Sequence, residues 1–124
     1  LAATGAAARR RVSAPALADR GVRVVVGSRT SGLPPGLATQ AELAALAAAG
    51  FDAPSVLHAA TGRAADVLGL GDAVGRVRPG LRADLLLVAG DPLSNIGDVA
   101  RVVALVHDGR FLSVASLLDE IAVE

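Results

Sequence analysis

Apolar positions along this chain gather in short runs, and the spacing within each run predicts its element. The first is Val22-Arg23-Val24-Val25-Val26, bounded by Gly21 and Gly27. A β-branched run without polar alternation predicts a strand buried on both faces, as in a parallel sheet covered by helices. Residues 28–36 are rich in turn formers and include Pro34-Pro35-Gly36, so they predict a long loop. A helix follows, with Thr39-Gln40-Ala41-Glu42 at capping-box spacing, Leu43 and Leu46 as its apolar stripe, and Gly50 placed to end it. Strand, loop and helix make a βα unit, and in α/β folds the loop after the strand's C-terminal end is where chemistry sits. Between Asp19 and Glu42, however, there is no acidic residue, no His and no Cys.

The flanking regions are simpler. Residues 2–20 predict a loose Ala- and Arg-rich segment, then a short helix from Pro15 to Asp19-Arg20. Pro54 opens a further helix carrying Val56, Leu57 and Ala60 on one side, and Thr61 is placed to cap the next one, through Ala65 to Leu68. Past Gly69 the pattern changes to small strands. Gly75 to Arg78 predicts a short strand entering a type II turn at Pro79-Gly80. Leu85 to Val88 and Val99 to Val106 predict strands, the second joined by an Asp108-Gly109 hairpin turn to a third at Arg110 to Val114. Ala115 to Val123 predicts a closing amphipathic helix.

Composition narrows the function classes. A chain of 124 residues is one domain at most, or a piece of something larger. Its first residue is Leu rather than Met, which fits the second option. Mean hydropathy is +0.53, but no apolar run reaches the roughly 18 residues that span a bilayer. Arg9-Arg10-Arg11 follows the Ala-rich start, the wrong order for a secretory signal. With no Cys there are no disulfides or thiolate metal sites, and a cytoplasmic location is expected. Net charge is +0 and aromatic residues make up 2%, so there is little to hold phosphates or stack bases; neither a nucleic-acid nor a membrane partner is expected. Arg9 to Arg11 reads as a solvated face.

Two glycine patterns mislead. Gly27 and Gly32 have phosphate-loop spacing, but Leu33-Pro34 stands where Lys and Ser or Thr would have to follow. Gly69, Gly71 and Gly75 suggest a dinucleotide fingerprint, but they follow a helix instead of a strand and read as a connector. His58, beside Leu57 and Ala59, reads as a surface or packing residue, and so does His107 before its hairpin turn.

One set of segments, taken in order, resembles a known family. Residues 59–70 (AATGRAADVLGL) are similar to the "AAT-x-N-x-A-x-x-LGL" segment of metal-dependent amidohydrolases. Residues 76–88 resemble their "G-x-I-x-x-G-x-x-ADLVV" strands; Gly90-Asp91-Pro92-Leu93 and residues 106–110 resemble the "GDPL" and "V-x-x-GR" that come next. Upstream, residues 21–36 resemble the "GV-x-I-x-x-GTD-x-G" strand and loop. The likeness runs through residues 15–114, and the imidazolonepropionase-like and prolidase-like branches are the nearest in pattern.

The resemblance implies an α/β fold class: a C-terminal fragment of a (β/α)8 barrel followed by strands of a small β-sandwich domain. Residues 1–70 would hold the last barrel strand and helices, and residues 71–124 the sandwich strands and terminal helix. A whole barrel takes about 250 residues, so most of one lies outside this chain. Intact members hydrolyse C–N bonds with one or two divalent metals, zinc being the expected one, held by a His-x-His pair and further His residues. Their "GTD" Asp contacts the metal and moves the proton.

In this chain that triplet reads Gly27-Ser28-Arg29, so the active-site rim implied by resemblance is Gly27, Ser28, Arg29 and Thr30, with no catalytic residue assigned. Arg29 has donors only and can neither ligate a cation nor accept a proton. A guanidinium about 4 Å from a metal would meet roughly 4 kcal/mol of repulsion per unit of metal charge at an effective dielectric of about 20. Either Arg29 points away or no metal binds. The family's "H-x-E-L" reads Gln40-Ala41-Glu42-Leu43, so that His is absent as well. No metal or other cofactor is therefore expected in this chain. Two readings stand: the C-terminal region of an amidohydrolase, inactive as this chain, or a non-catalytic interaction or assembly module derived from a barrel remnant. Expected partners are a second copy of the chain or the missing N-terminal barrel portion.

Overall fold

A computed structural model describes residues 14–28 and 32–121. A helical turn at 14–18 leads into an extended segment, 22–28, and then into helices α1 (Pro35–Ala48), α2 (Ala53–Ala60) and α3 (Gly62–Val67). A connector of turns reaches strand β1 (Leu85–Val88), a 3-10 helix (Ile96–Ala100), strands β2 (Val102–His107) and β3 (Arg110–Ser113), and helix α4 (Val114–Ile121). Among the described residues no helix is long and apolar enough to cross a membrane.

The helix boundaries follow from local chemistry. Helix α1 begins four residues before the expected Thr39 cap. Pro34 holds extended backbone at the N-cap, and Pro35 sits at the first helical position, where its missing N–H has no intrahelical acceptor to lose. Thr39 is therefore interior to the helix, and the capping box does not form. The other end is as expected: Gly50, at φ +108°, donates to Ala47 O at 3.0 Å, and Phe51 N–H reaches back to Leu46 O at 3.3 Å, a Schellman closure. Helix α2 starts on a cap not anticipated above, Asp52, whose Oδ1 accepts from Ser55 N–H at 2.9 Å. Thr61 stands at the N-cap position of α3, but its hydroxyl donates backward to Leu57 O at 2.7 Å and caps nothing.

Leu43, Leu46 and Val56 form the buried centre, with Val24, Val26, Ala47, Phe51, Ala60, Ile96 and Val99 packed on it. The two segments that flank α1 and α2 in space thus come from opposite sides of residue 70. The expected strand at Val22 to Val26 is not formed. The segment is extended, but no neighbouring strand lies beside it among the described residues. It is not buried on both faces either: Val24 and Val26 pack inward, while Val22 is 50% exposed and Val25 36%.

The sheet is antiparallel in the order β1-β2-β3. Leu85, Val106 and Phe111 are aligned across one face, and Leu86, Leu105 and Leu112 across the other. The β2–β3 turn is the expected one: Asp108 and Gly109 both take positive φ, 48° and 77°, which matches the right-handed twist of the flanking strands. Three further boundaries differ from expectation. Residues 75–78 form no strand, although the turn after them closes as expected, with Leu81 N–H donating to Arg78 O at 3.2 Å. Strand β2 starts at Val102 because Val99 and Ala100 belong to the 3-10 helix, where Val99 serves the core. Val114 opens α4 in place of ending β3, with Ser113 Oγ accepting from Ser116 N–H at 3.0 Å.

Candidate functional site

Of the four rim residues implied by the sequence, Gly27 and Ser28 close the extended segment, and Arg29 and Thr30 lie outside the described residues. The segment is held from below. Val26 N–H donates to Ala59 O at the end of α2 (3.1 Å), and the Arg63 guanidinium donates to Val24 O (3.4 Å). At its end the hydroxyls of Ser28 and Thr39 lie 3.3 Å apart, either one donating, which ties the segment to α1. Gly27 is exposed with open space over its Cα. Gly27 and Ser28 thus offer hydroxyl and backbone groups and no carboxylate.

The two histidines are not brought to it as a pair. His58 is exposed on α2, its Nδ1 3.5 Å from Arg63 Nη2. His107, at the end of β2, places Nδ1 3.1 Å from Asp84 Oδ1. Asp84 also accepts from Asp108 N–H at 2.9 Å and from Arg82 Nε at 2.6 Å. The Asp108 amide first, and then Arg82, hold its carboxyl below the ordinary value of 3.8. This carboxylate joins the chain entering β1 to the β2–β3 turn, which is a structural task.

A second polar cluster escaped the sequence reading. Arg76 grips Asp66 bidentately, Nη1 to Oδ1 at 2.9 Å and Nη2 to Oδ2 at 2.6 Å. The pair lies in an open cleft of about 470 Å³ lined by Asp66, Gly69, Gly71, Asp72, Arg76 and Arg78. The Arg76 hydrogen bonds lower the Asp66 pKa, and Asp66 raises that of Arg76. Glycine is required here by close approach: a Cβ on Gly71 would meet the Asp66 carboxylate, and one on Gly75 would sit 2.6 Å from Ala65 Cβ. The connector therefore straps the end of α3 in place. No local spacing signals a pair ten residues apart across two glycine turns. The Gly-Asp-Pro loop was more legible. Asp91 takes the Ser94 hydroxyl at 2.6 Å and Leu93 N–H at 3.1 Å, the reach of an Asx turn, and the Ser94 bond leads in lowering its pKa.

These carboxylates are ionised and committed to neighbours, so none is poised to release a proton near neutral pH. Among the described residues no three His, Cys, Asp or Glu side chains converge as a metal would need. The described residues do not fit the divalent metal that the resemblance implies.

Comparison with known proteins gives a consistent picture. A family model described as "Amidohydrolase family" matches residues 6–112. A crystal structure of a Bifidobacterium longum protein provisionally designated a prolidase aligns at TM-score 0.70 and 30% identity, over 84% of this chain and 28% of that one. A Xaa-Pro dipeptidase with methionine bound in its active site aligns at TM-score 0.61 and 25% identity, over 67% of this chain and 20% of the other. An amidohydrolase crystal structure aligns at 0.56 and 32% identity, over 60% and 19%. The chain thus spans between a fifth and somewhat over a quarter of the length of these proteins. No match is found among curated proteins.

Proposed function

The chain belongs to the amidohydrolase family, and from that membership we propose that it is the C-terminal part of a metal-dependent C–N hydrolase of the prolidase-like kind. In this reading residues 1–70 carry the last strand and helices of a (β/α)8 barrel, and residues 71–124 carry strands of a small β-sandwich and the terminal helix. The carrying observation is the likeness to the Bifidobacterium longum protein, 84% of this chain against 28% of that one. The sheet agrees with it: Leu86 is 61% exposed on one face, as suits a face that a second sheet would cover.

Hydrolysis would then belong to the assembled barrel and not to this chain alone, because no metal-ligand set converges among the described residues. Metal analysis of the dialysed chain is expected to find far less than one equivalent of zinc, with no cleavage of an Xaa-Pro dipeptide. Near-stoichiometric zinc retained against a weak chelator would overturn this. The alternative, an assembly module derived from a barrel remnant, draws support from the unpaired extended segment. The flanking gene sequence separates the two: an upstream frame encoding His-x-His after a strand favours the hydrolase, and a start codon immediately before Leu1 favours the module.

A further inference from the structure

Asp108 is the only Asp in the sequence that a glycine follows. The pair forms the β2–β3 turn, exposed and with both residues at positive φ, 48° and 77°. The Asp108 carboxyl makes no hydrogen bond of its own among the described residues. It stands next to a main-chain nitrogen that no Cβ shields, because Gly109 has none. Such a neighbour lets a carboxyl close a cyclic imide on the amide that follows it. What restrains the ring closure here is the chain entering β1. Asp84 Oδ1 accepts from Asp108 N–H at 2.9 Å and lies 3.1 Å from His107 Nδ1, and Ala83 O accepts from Gly109 N–H at 3.2 Å. An amide that donates to a carbonyl keeps its proton and cannot turn its nitrogen toward Cγ until that bond opens.

We propose that Asp108 is a site of isoaspartate formation, and that the tether from Ala83 and Asp84 sets its pace. In the reacting step Gly109 N attacks Cγ of Asp108. The new C–N bond forms as a C–O bond of the protonated carboxyl breaks, and the hydroxyl leaves with the amide proton as water. Water then adds back to the imide. Opening at the side-chain carbonyl restores aspartate; opening at the main-chain carbonyl leaves isoaspartate, with an extra main-chain carbon and the mass unchanged. A two-residue turn fixes register by its length, so the extra carbon undoes the His107–Arg110 pairing that closes β2 on β3. The hairpin thus carries a slow covalent clock. Every contact involved lies within residues 83–110, and none depends on the hydrolase reading.

The test is incubation of the full chain at neutral pH and physiological temperature, both folded and unfolded in guanidinium, followed by trypsin. Cleavage after Arg101 and Arg110 releases residues 102–110. Isoaspartate shows as a peptide of equal mass that elutes apart and gives isomer-specific fragments under electron-transfer dissociation. The unfolded chain is expected to accumulate it at Asp108 faster than at any other Asp. The folded chain should be slower than the unfolded by roughly tenfold or more, since the turn must open locally before it reacts. Asp84→Ala, which removes the acceptor for the Asp108 amide, should speed the folded chain several-fold with its circular dichroism unchanged. Asp84→Asn keeps an oxygen acceptor and should stay near the wild-type rate. No isoaspartate at 108 in the unfolded chain would overturn the proposal, as would equal rates in the folded and unfolded chains. So would a folded Asp84→Ala chain that reacts no faster than wild type. Should Asp84→Ala not fold, the folded and unfolded wild-type rates decide by themselves.

Discussion

Val56→Ala is the substitution that most directly probes how this chain holds together. Val56 is 1% exposed, on the face of α2 that meets α1, in a cluster with Leu43 and Leu46. Truncation removes two methyl groups, a transfer loss of about 1.6 kcal/mol at about 0.8 per group. It also leaves a void of up to roughly 50 Å³, which at about 24 cal/mol per Å³ adds about 1 kcal/mol if the helices do not close over it. The expected destabilisation is about 2 to 3 kcal/mol. With a urea m-value between about 1 and 3 kcal/mol/M for a chain of this size, the midpoint should fall by about 0.7 to 3 M. Leu86→Ala is the matched control, since that side chain is 61% exposed and should shift stability by no more than about 0.5 kcal/mol. Urea titration followed by circular dichroism reads both. Equal midpoint shifts in the two variants would refute the reasoning, because Val56 would then not be part of a cooperative core.

Acid should destabilise the fold in a defined window. Asp52, Asp66, Asp84 and Asp91 all have folded pKa values below the ordinary 3.8. The unfolded chain therefore takes up their protons first, so their contribution is full above about pH 4 and is lost as pH falls through the lower folded values. A melting temperature that did not drop between pH 4.5 and 2.5 would contradict this. Gly75→Ala should cost more than Gly80→Ala. Both residues have positive φ, 91° and 89°, but only at position 75 would the new methyl collide with Ala65 and the Thr61 carbonyl. Urea midpoints in the reverse order would show that the connector does not pack as described. Arg29→Asp is expected to give neither retained zinc nor hydrolysis, since one carboxylate falls short of the three or more ligands a metal site needs. Metal-dependent turnover by that single variant would refute this and the account of where the ligands reside.

The parts of this protein that could be read from its sequence are those whose geometry is set within a few residues. The Asp108-Gly109 turn, the Gly50 helix end and the Leu85 to Val88 strand are of this kind, because positive φ and apolar run length are local demands. Family membership was legible for a different reason: several short motifs recur in order, and none needs its spatial context to be recognised. Errors arose where two local signals competed. The turn-forming Pro34-Pro35-Gly36 predicts a loop and the Thr39 box a helix start, yet the helix opens at Pro35, four residues before Thr39, because a proline at the first helical position has its φ already set for it. That the Ser28 hydroxyl meets Thr39, eleven residues on, required the helix to be in place.

Tertiary structure alone decided the rest. The Arg76–Asp66 grip and the Asp84–His107 contact, the latter spanning 23 residues, depend on how the connector folds back and how the strands register. Val99 is apolar and β-branched whether in a strand or a 3-10 turn, and it was the packing against Leu43, Leu46 and Val56 that claimed it. Val22 to Val26 make the same point in reverse. Side-chain branching prepares an extended backbone, but a strand exists only where another backbone accepts its hydrogen bonds, and that acceptor is a property of the neighbours, not of the five residues themselves.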